Sequence, residues 1–302
     1  MTGEYGLRLV CLCLASYFVV QLVVGLVLRG MAPWTFRVVS DVAPRVSARI
    51  LLILRFAPAI SGLFVVAAIC IPSYIWFEPR ESAEEIGFVC LAAAMFGLAV
   101  WLVAIVGGSR QLVRSRRRIR EFGTTASPVV AIVGILRTRL LVSPAVVEAL
   151  DREQLDAALR HERAHGAAHD NLKRLLFAFT PGLLPGWNGF ETVERQWARF
   201  SEWAADDDAV KGDAERAVAL ASALVCVARL GTAPVPLASS MLDGSDLAER
   251  VDRLLAAKPV PRHDGGAEML EMMVVLGAAL ATGIAARPGT LESAHRLLER
   301  LL

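Results

Sequence analysis

Three long stretches without a charged residue constrain this 302-residue chain more than any other feature. They cover residues 9–28, 56–77 and 86–109. A helix needs about 20 apolar residues to cross the hydrocarbon core of a bilayer, so each stretch predicts a transmembrane helix. The composition agrees, because 55% hydrophobic residues and a mean hydropathy of +0.50 exceed what soluble domains show. We therefore expect a mainly α, polytopic membrane protein.

The first apolar stretch lies where a signal peptide would lie, and a fourth, shorter stretch lies near the C-terminus. Residues 9–28 could form a signal peptide, but Glu4 and Arg8 precede them, and the stretch exceeds a signal core of about 7–15 residues. We interpret this stretch as an uncleaved span. A shorter uncharged stretch, 272–286, predicts a fourth transmembrane helix at about 270–286, within a C-terminal segment 268–302 that ends in a short tail.

The charges between the spans predict the orientation. Segments 29–55 and 110–121 are rich in arginine, whereas residues 78–85 carry four Glu and one Arg. Basic loops stay in the cytoplasm, so we expect the acidic loop outside and everything after Arg110 inside. The arginine cluster could also form a nucleic-acid-binding arm. Directly after a span the membrane interpretation is preferred, and we expect no direct contact with nucleic acid.

This orientation divides the chain into three parts. Residues 1–109 hold three transmembrane helices, 110–267 form a cytoplasmic domain, and 268–302 hold the fourth span. The cytoplasmic part begins with a strand-like stretch at 134–143. Asp151 and Gln154 then match a capping box, which predicts a helix over 152–173. Prolines and glycines break the uncharged stretch 175–190, which we expect to dip into the membrane interface near Trp187. Further helices are predicted at 191–210, 213–229 and 245–257.

The predicted helix 152–173 carries the motif H-E-x-x-H at His161, Glu162 and His165. Residues four apart lie on one face of a helix, so both imidazoles can bind one zinc ion. Glu162 would then act as general base towards a zinc-bound water, which suffices to hydrolyse an amide. The alternative is a solvated helix face formed by Arg160, Glu162 and Arg163.

A third metal ligand is expected on a later helix. The sequence SEWAADDDAV at 201–210 offers Glu202, with Asp206 one turn further on. Glu202 can bind the metal, while Asp206 can accept the N–H of a ligand imidazole and fix its tautomer. Asp206 could instead belong to a solvated run of three aspartates.

These motifs resemble those of the integral-membrane gluzincin peptidases, most closely the BlaR/MecR-type antirepressor metallopeptidases. The resemblance rests on LDREQLDAALRHERAHGAAHDNLKRLL at 150–176, on Glu202 followed by Asp206, and on AERVDRLL at 248–255. It covers roughly residues 50–290. It implies a cytoplasmic gluzincin-type α+β zinc-protease domain with one Zn²⁺, held by His161, His165 and Glu202. It also implies Glu162 as general base and Asp170 as a supporting residue.

The resemblance further implies what this family does. We expect a multi-pass protein of the bacterial plasma (inner) membrane that cleaves a cytoplasmic protein. The expected substrate is a transcriptional repressor in a signal-transduction pathway. Sensor-bearing members continue into an extracellular penicillin-binding domain, whereas this sequence has no S-x-x-K and ends at Leu302. We therefore expect a short form without beta-lactam sensing. Candidates to stabilise the tetrahedral oxyanion are His169, Arg195 and Arg250. The oligomeric state is left open.

Two other functions remain open at this point. The CAAX-prenyl and heat-shock type of membrane protease shares the motif and would act in protein processing or quality control. A zinc-stabilised signalling scaffold without catalysis would need a fourth protein ligand. His169 could supply it, although it lies two turns from His161 on the predicted helix.

Overall fold

The computed structural model describes residues 3–78, 86–122, 130–134, 139–230, 239–240 and 247–256, with single positions near the C-terminus. The predicted fourth span and His263 lie outside these residues. The long helices are α1 (Gly3–Ser40), α2 (Pro44–Val65) and α4 (Phe88–Phe122). A π-helical turn, Val66–Cys70, joins α2 to α3 (Ile71–Phe77).

Three of these helical units are long and apolar enough to cross a membrane: Glu4–Ser40, Pro44–Phe77 and Phe88–Arg117. They cover the three uncharged stretches except residues 86 and 87, so the prediction of a mainly α chain with three candidate spans is confirmed, in agreement with a membrane protein. Each helix extends beyond its apolar stretch. The prolines do not end these helices, because Pro33 and Pro58 are accommodated inside α1 and α2.

The remaining elements follow α4 in the order of the chain. They are β1 (Val130–Val133), β2 (Arg139–Val142), α5 (Pro144–Ala149), α6 (Arg152–Ala168), α7 (Asp170–Phe179), α8 (Glu191–Val210), α9 (Ala214–Arg229), β3 (Ser239–Ser240) and α10 (Leu247–Leu255). The predicted helices 191–210 and 213–229 are confirmed, with Asp213 capping α9. α10 confirms the described part of 245–257.

Two predictions about this region need correction. The single helix 152–173 is wrong, because His169 adopts a left-handed conformation (φ 56°) that ends α6 and starts α7 in a new direction. The capping box of Asp151 and Gln154 is present. The strand predicted at 134–143 is limited to β2, since Gly134 turns at a φ of 101° and residues 135–138 lie outside the described part.

The three short strands form an antiparallel sheet in the order β2-β1-β3. Val130 pairs with Val142 and Val133 with Arg139, while Ala131 pairs with Ser240. β2 is therefore an edge strand among the described strands. The Asn171 amide donates a hydrogen bond of 3.0 Å to the Gly134 carbonyl, which ties the start of α7 to the sheet.

Two apolar cores hold α8 in place. One joins α5, α6, α9 and α10 to the end of α8 through Ala209 and Val210. The other joins α8 to the membrane helices and is formed by Ala32, Val39, Leu51, Leu54, Leu183, Phe190, Val193, Trp197 and Phe200. α8 therefore packs against α6, which carries His161 and His165, on one side and against α2 on the other.

The irregular loop 180–190 packs against α1 at the depth of its apolar stretch. The Gln21 amide donates to the Gly182 carbonyl and Arg29 to the Gly189 carbonyl, each at 2.6 Å. The Arg29 guanidinium also lies 5.0 Å above the Trp187 ring. Irregular backbone is tolerated at membrane depth only where protein buries it. These contacts provide that cover, and they fit the expected dip into the membrane.

Candidate metal centre

His161 and His165 face each other on α6, as the four-residue spacing predicts. Their Nε2 atoms are 3.1 Å apart, and both side chains are buried. The Glu202 carboxylate approaches from α8, with Oε2 3.4 Å from His161 Nε2 and Oε1 3.5 Å from His165 Nε2. The structure thus brings the three predicted ligands together in the protein interior.

The spacing of these three side chains fits one metal ion. Bonds of about 2.0–2.2 Å in a tetrahedral site place neighbouring donor atoms about 3.3–3.6 Å apart. The two Nε2 atoms are 3.1 Å apart, and the two Glu202 oxygens lie 3.4 Å from His161 and 3.5 Å from His165, at or near this range. Among the described residues, this is the one group of three or more His, Cys, Asp or Glu side chains that could hold a metal ion.

Each imidazole has a carboxylate on the side away from the cluster. His165 Nδ1 donates to Asp170 Oδ2 at 2.8 Å, and His161 Nδ1 lies 2.9 Å from Asp206 Oδ1. Protons held at Nδ1 leave the two Nε2 lone pairs directed at the centre of the cluster. This is the arrangement that metal-binding histidines require.

Asp170 and Asp206 are themselves anchored by further side chains. The Ser201 hydroxyl donates to Asp170 Oδ2 at 2.7 Å, and Lys173 contacts Oδ1 at 2.8 Å. Arg250 donates two hydrogen bonds to the Asp206 carboxylate, from Nε at 2.9 Å and from a terminal nitrogen at 2.7 Å. The carboxylates that orient the imidazoles are therefore held rigidly.

The electrostatics favour a cation between the imidazoles. Burial alone would lower the pKa of His165, but Glu202 and Asp170 outweigh it and raise that pKa to about 10. Burial also opposes ionisation of Asp170 and Asp206, yet His165 and Arg250, respectively, lower the pKa of each carboxyl to about 2. The pKa of Glu202 falls well below its usual value for similar reasons, so three ionised carboxylates surround the cluster.

Glu162 follows the first ligand histidine and is fully buried. Its carboxylate lies close enough to His165 to help raise the pKa of that imidazole. It is not one of the three side chains whose donor atoms converge. The chain thus places a buried carboxylate beside the candidate metal position without using it as a ligand.

The other sequence candidates lie elsewhere. His169 is exposed at the α6–α7 junction, where its Nδ1 faces the Ala167 carbonyl at 3.1 Å, so it is not the fourth ligand of the cluster. Arg195 is exposed on α8 and contacts Thr192. Arg250 is buried, with a third nitrogen 3.2 Å from Glu202 Oε2, so its guanidinium braces both Asp206 and Glu202.

The sequence analysis missed two residues that support the site, one in contact with Glu202 and one in contact with Asp170. Arg174 on α7 lies 3.4 Å from Glu202 Oε1, and Ser201 supports Asp170 as described above. Neither contact follows from spacing along one helix. Both depend on the turn at His169, which brings α7 beside α8.

Comparison of the chain with protein-family models, with curated proteins and with solved structures finds no match.

Proposed function

We propose that this protein is a zinc-dependent endopeptidase of the bacterial plasma membrane, with its active site at the cytoplasmic face. The observation that carries the proposal is the convergence of His161, His165 and Glu202 beside the buried, non-ligating Glu162. Two imidazoles and one carboxylate form a frequent donor set of catalytic zinc sites, and three protein ligands leave the fourth position open.

Each residue around the metal position would have a separate role in peptide-bond hydrolysis. When bound, zinc supplies a Lewis acid that lowers the pKa of a coordinated water and polarises a carbonyl. Glu162 takes the proton from the attacking water and returns it to the leaving amine. Asp170 and Asp206 keep the two imidazoles in the correct tautomer. A peptide substrate would lie extended along the edge strand β2 (Arg139–Val142), through backbone hydrogen bonds.

The substrate is proposed by resemblance to the BlaR/MecR-type antirepressor peptidases. It would be a cytoplasmic transcriptional repressor whose cleavage changes gene expression. A CAAX-prenyl or heat-shock type of protease would use the same site in protein processing. A structural scaffold is less well supported, because a structural zinc site closes with four protein ligands and the described cluster has three.

The test compares detergent-purified wild type with the Glu162→Gln and His165→Ala variants. Zinc content is measured by mass spectrometry, and peptide-bond cleavage is measured on fluorescently labelled casein and on a co-expressed repressor. We expect about one zinc per chain in wild type and Glu162→Gln, and a loss of at least about 100-fold in cleavage for Glu162→Gln. His165→Ala should lose both zinc and cleavage.

Other outcomes point to other functions. Zinc in both proteins with no cleavage by wild type would favour the scaffold. Folded wild type without zinc would contradict the proposal as a whole.

A further inference from the structure

A cavity of about 640 Å³ lies between α4, α7, α8 and the loop 180–190. One face of α4 forms a wall with residues at helical spacing: Val100, Val103, Ala104, Gly107 and Gln111. Phe177, Trp197 and Ala198 lie across the cavity from them. The α4 wall belongs to the candidate span Phe88–Arg117, so where α4 crosses the membrane this wall would lie within the bilayer.

The mouth of the cavity faces outward from the helix bundle. Val103 on α4 is 49% exposed, and Gly186 and Trp187 on the facing loop are exposed as well. All three line the cavity. Where α4 crosses the membrane, this opening would face lipid rather than water.

The inner end of the cavity is polar. Buried Arg55 donates from Nε to Glu194 Oε1 at 2.6 Å, and the Asn188 amide donates to the same oxygen at 3.0 Å. The Asn188 Oδ1 atom is buried and accepts no hydrogen bond. An ionisable side chain at membrane depth usually marks a functional site. A lipid tail would leave Asn188 Oδ1 unsatisfied, whereas a polypeptide backbone supplies an N–H donor to it.

The polar end adjoins the candidate metal centre. Ala198 lines the cavity, and Glu202 lies one turn further along the same face of α8. Arg174 lines the cavity too, and its guanidinium is 3.4 Å from Glu202 Oε1. A chain that entered from the lipid side would reach the metal centre along this wall.

We infer that the cavity receives an apolar, membrane-inserted segment of the substrate, and that the cleaved bond lies next to that segment. The inference rests on the proposed function and specifies its substrate class. The substrate is a membrane-anchored polypeptide, and the repressor proposed above fits this class when a membrane segment anchors it. The apolar segment lies along α4, and the following polar residues pass Arg55, Asn188 and Arg174 to reach Glu202.

Gly107 allows the cavity to be filled without disturbing the packing of the helices. A Cβ atom added at Gly107 would meet no other atom within 4 Å, so Gly107→Trp projects into open space. The adjacent Gly108 is unsuitable, because its Cβ would lie 2.8 Å from the Phe179 ring. Ile105→Trp is the matched control. Ile105 is 48% exposed on α4 and does not line the cavity.

The probe is a synthetic peptide with an apolar Leu/Ala segment of about 20 residues, a diazirine within that segment and a short polar tail. Each variant is combined with Glu162→Gln, reconstituted in nanodiscs and irradiated over a range of peptide concentrations. We expect saturable crosslinking that maps to 100–111 of α4. The half-saturating concentration should rise about ten-fold or more in Gly107→Trp and stay unchanged in Ile105→Trp.

Equal crosslinking of the wild-type cavity and Gly107→Trp, or crosslinks that map elsewhere, would overturn the inference. A diazirine-bearing phospholipid that labels 100–111 where the peptide does not would identify a lipid site and also overturn it. Zinc content and casein cleavage, measured separately with Glu162 intact, report on the proposed function. The control variant Ile105→Trp should cleave casein at the wild-type rate, because Ile105 lies outside both the cavity and the metal centre.

If zinc or casein cleavage is absent while the peptide still crosslinks to α4, the proposed function fails and the cavity assignment stands.

Discussion

Asp170 connects three side chains around the candidate metal centre. It accepts hydrogen bonds from His165, Ser201 and Lys173, and so it fixes the imidazole that faces the metal. Loss of such a supporting carboxylate typically weakens metal binding about 10–100-fold. We predict that Asp170→Asn weakens zinc binding by this factor, measured by competition with a chromophoric chelator.

A neighbouring carboxylate provides the control for this prediction. Asp207 pairs with Arg253 at 2.6 and 2.7 Å and does not contact a ligand histidine. Asp207→Asn should therefore leave zinc affinity unchanged. Equal weakening in both variants would indicate a general loss of stability and would argue against a specific role of Asp170.

Arg250 lies among buried carboxylates, and its removal should be costly. Without it, Asp206 would remain ionised in the interior with only His161 beside it. Breaking a buried ion pair in this way costs about 3–5 kcal/mol. We predict that Arg250→Met lowers the free energy of unfolding of the metal-free protein by this amount, measured by denaturant titration. Arg253→Met, which removes a partly exposed pair, should cost about 1 kcal/mol or less.

The same pair of variants tests whether Arg250 also acts on the reaction. If Arg250→Met retains wild-type stability but loses turnover, then Arg250 contributes to the transition state, and the positioning role described above is wrong.

At the scale of single residues, the sequence predicted what lies on one helix. His161, Glu162 and His165 were identified because a four-residue spacing places them on one face. Glu202 and Asp206 were identified from the same spacing on the next candidate helix. Arg174 and Ser201 were missed, because their contacts join different helices and no short-range pattern encodes them.

At the scale of elements, the break between α6 and α7 is the main difference from the expected structure. The sequence has no glycine or proline between 167 and 180 to end the helix. The break is instead stabilised by tertiary contacts. It places Asp170 within hydrogen-bonding distance of His165 and Asn171 within hydrogen-bonding distance of the Gly134 carbonyl. Tertiary contacts of this kind override local helix propensity.

This break predicts the effect of a glycine at position 169. A left-handed conformation costs a non-glycine residue about 1–2 kcal/mol, and glycine avoids most of that cost. We predict that His169→Gly stabilises the protein by roughly 1 kcal/mol in thermal unfolding and retains the full zinc content. Loss of zinc from this variant would show that His169 is a ligand, in conflict with its exposed position.

At the scale of the whole molecule, the membrane helices and the metal centre share one core. Trp197 and Phe200 of α8 pack with Leu51 and Leu54 of α2. The buried Arg55 of α2 pairs with Glu194 of α8 at 2.6 Å. The sequence suggested a division at residue 110, because hydropathy falls there. It gave no sign that α8 would return to the spans.

The shared core predicts that segment 110–267 does not form the metal centre alone. Without α1 and α2, the apolar face of α8 would be exposed and Glu194 would lose Arg55. We expect this fragment to aggregate or to bind no zinc in equilibrium dialysis, whereas the full chain binds one. A soluble fragment that binds one zinc with native affinity would show that the membrane helices are dispensable for the site.

The packing also predicts which side of the membrane carries the metal centre. Arg45, at the start of α2, pairs with Asp208 at the end of α8, so the site lies at the end of the bundle where the first basic segment lies. The arginines after residue 110 lie at the same end, since α4 runs antiparallel to α2, from the acidic loop back to the end where α2 begins. Both basic segments should face the cytoplasm.

Cysteine labelling checks this orientation in a Cys226→Ser background. Glu148→Cys, exposed on α5 in the part of the chain that follows Arg110, should react with a membrane-impermeant maleimide only after the inner membrane is permeabilised. Phe88→Cys, 84% exposed at the start of α4 beside the acidic loop, should react without permeabilisation. The reverse pattern would place the metal centre outside the cytoplasm, where no cytoplasmic repressor could reach it, while the opening of the cavity towards lipid would be unaffected.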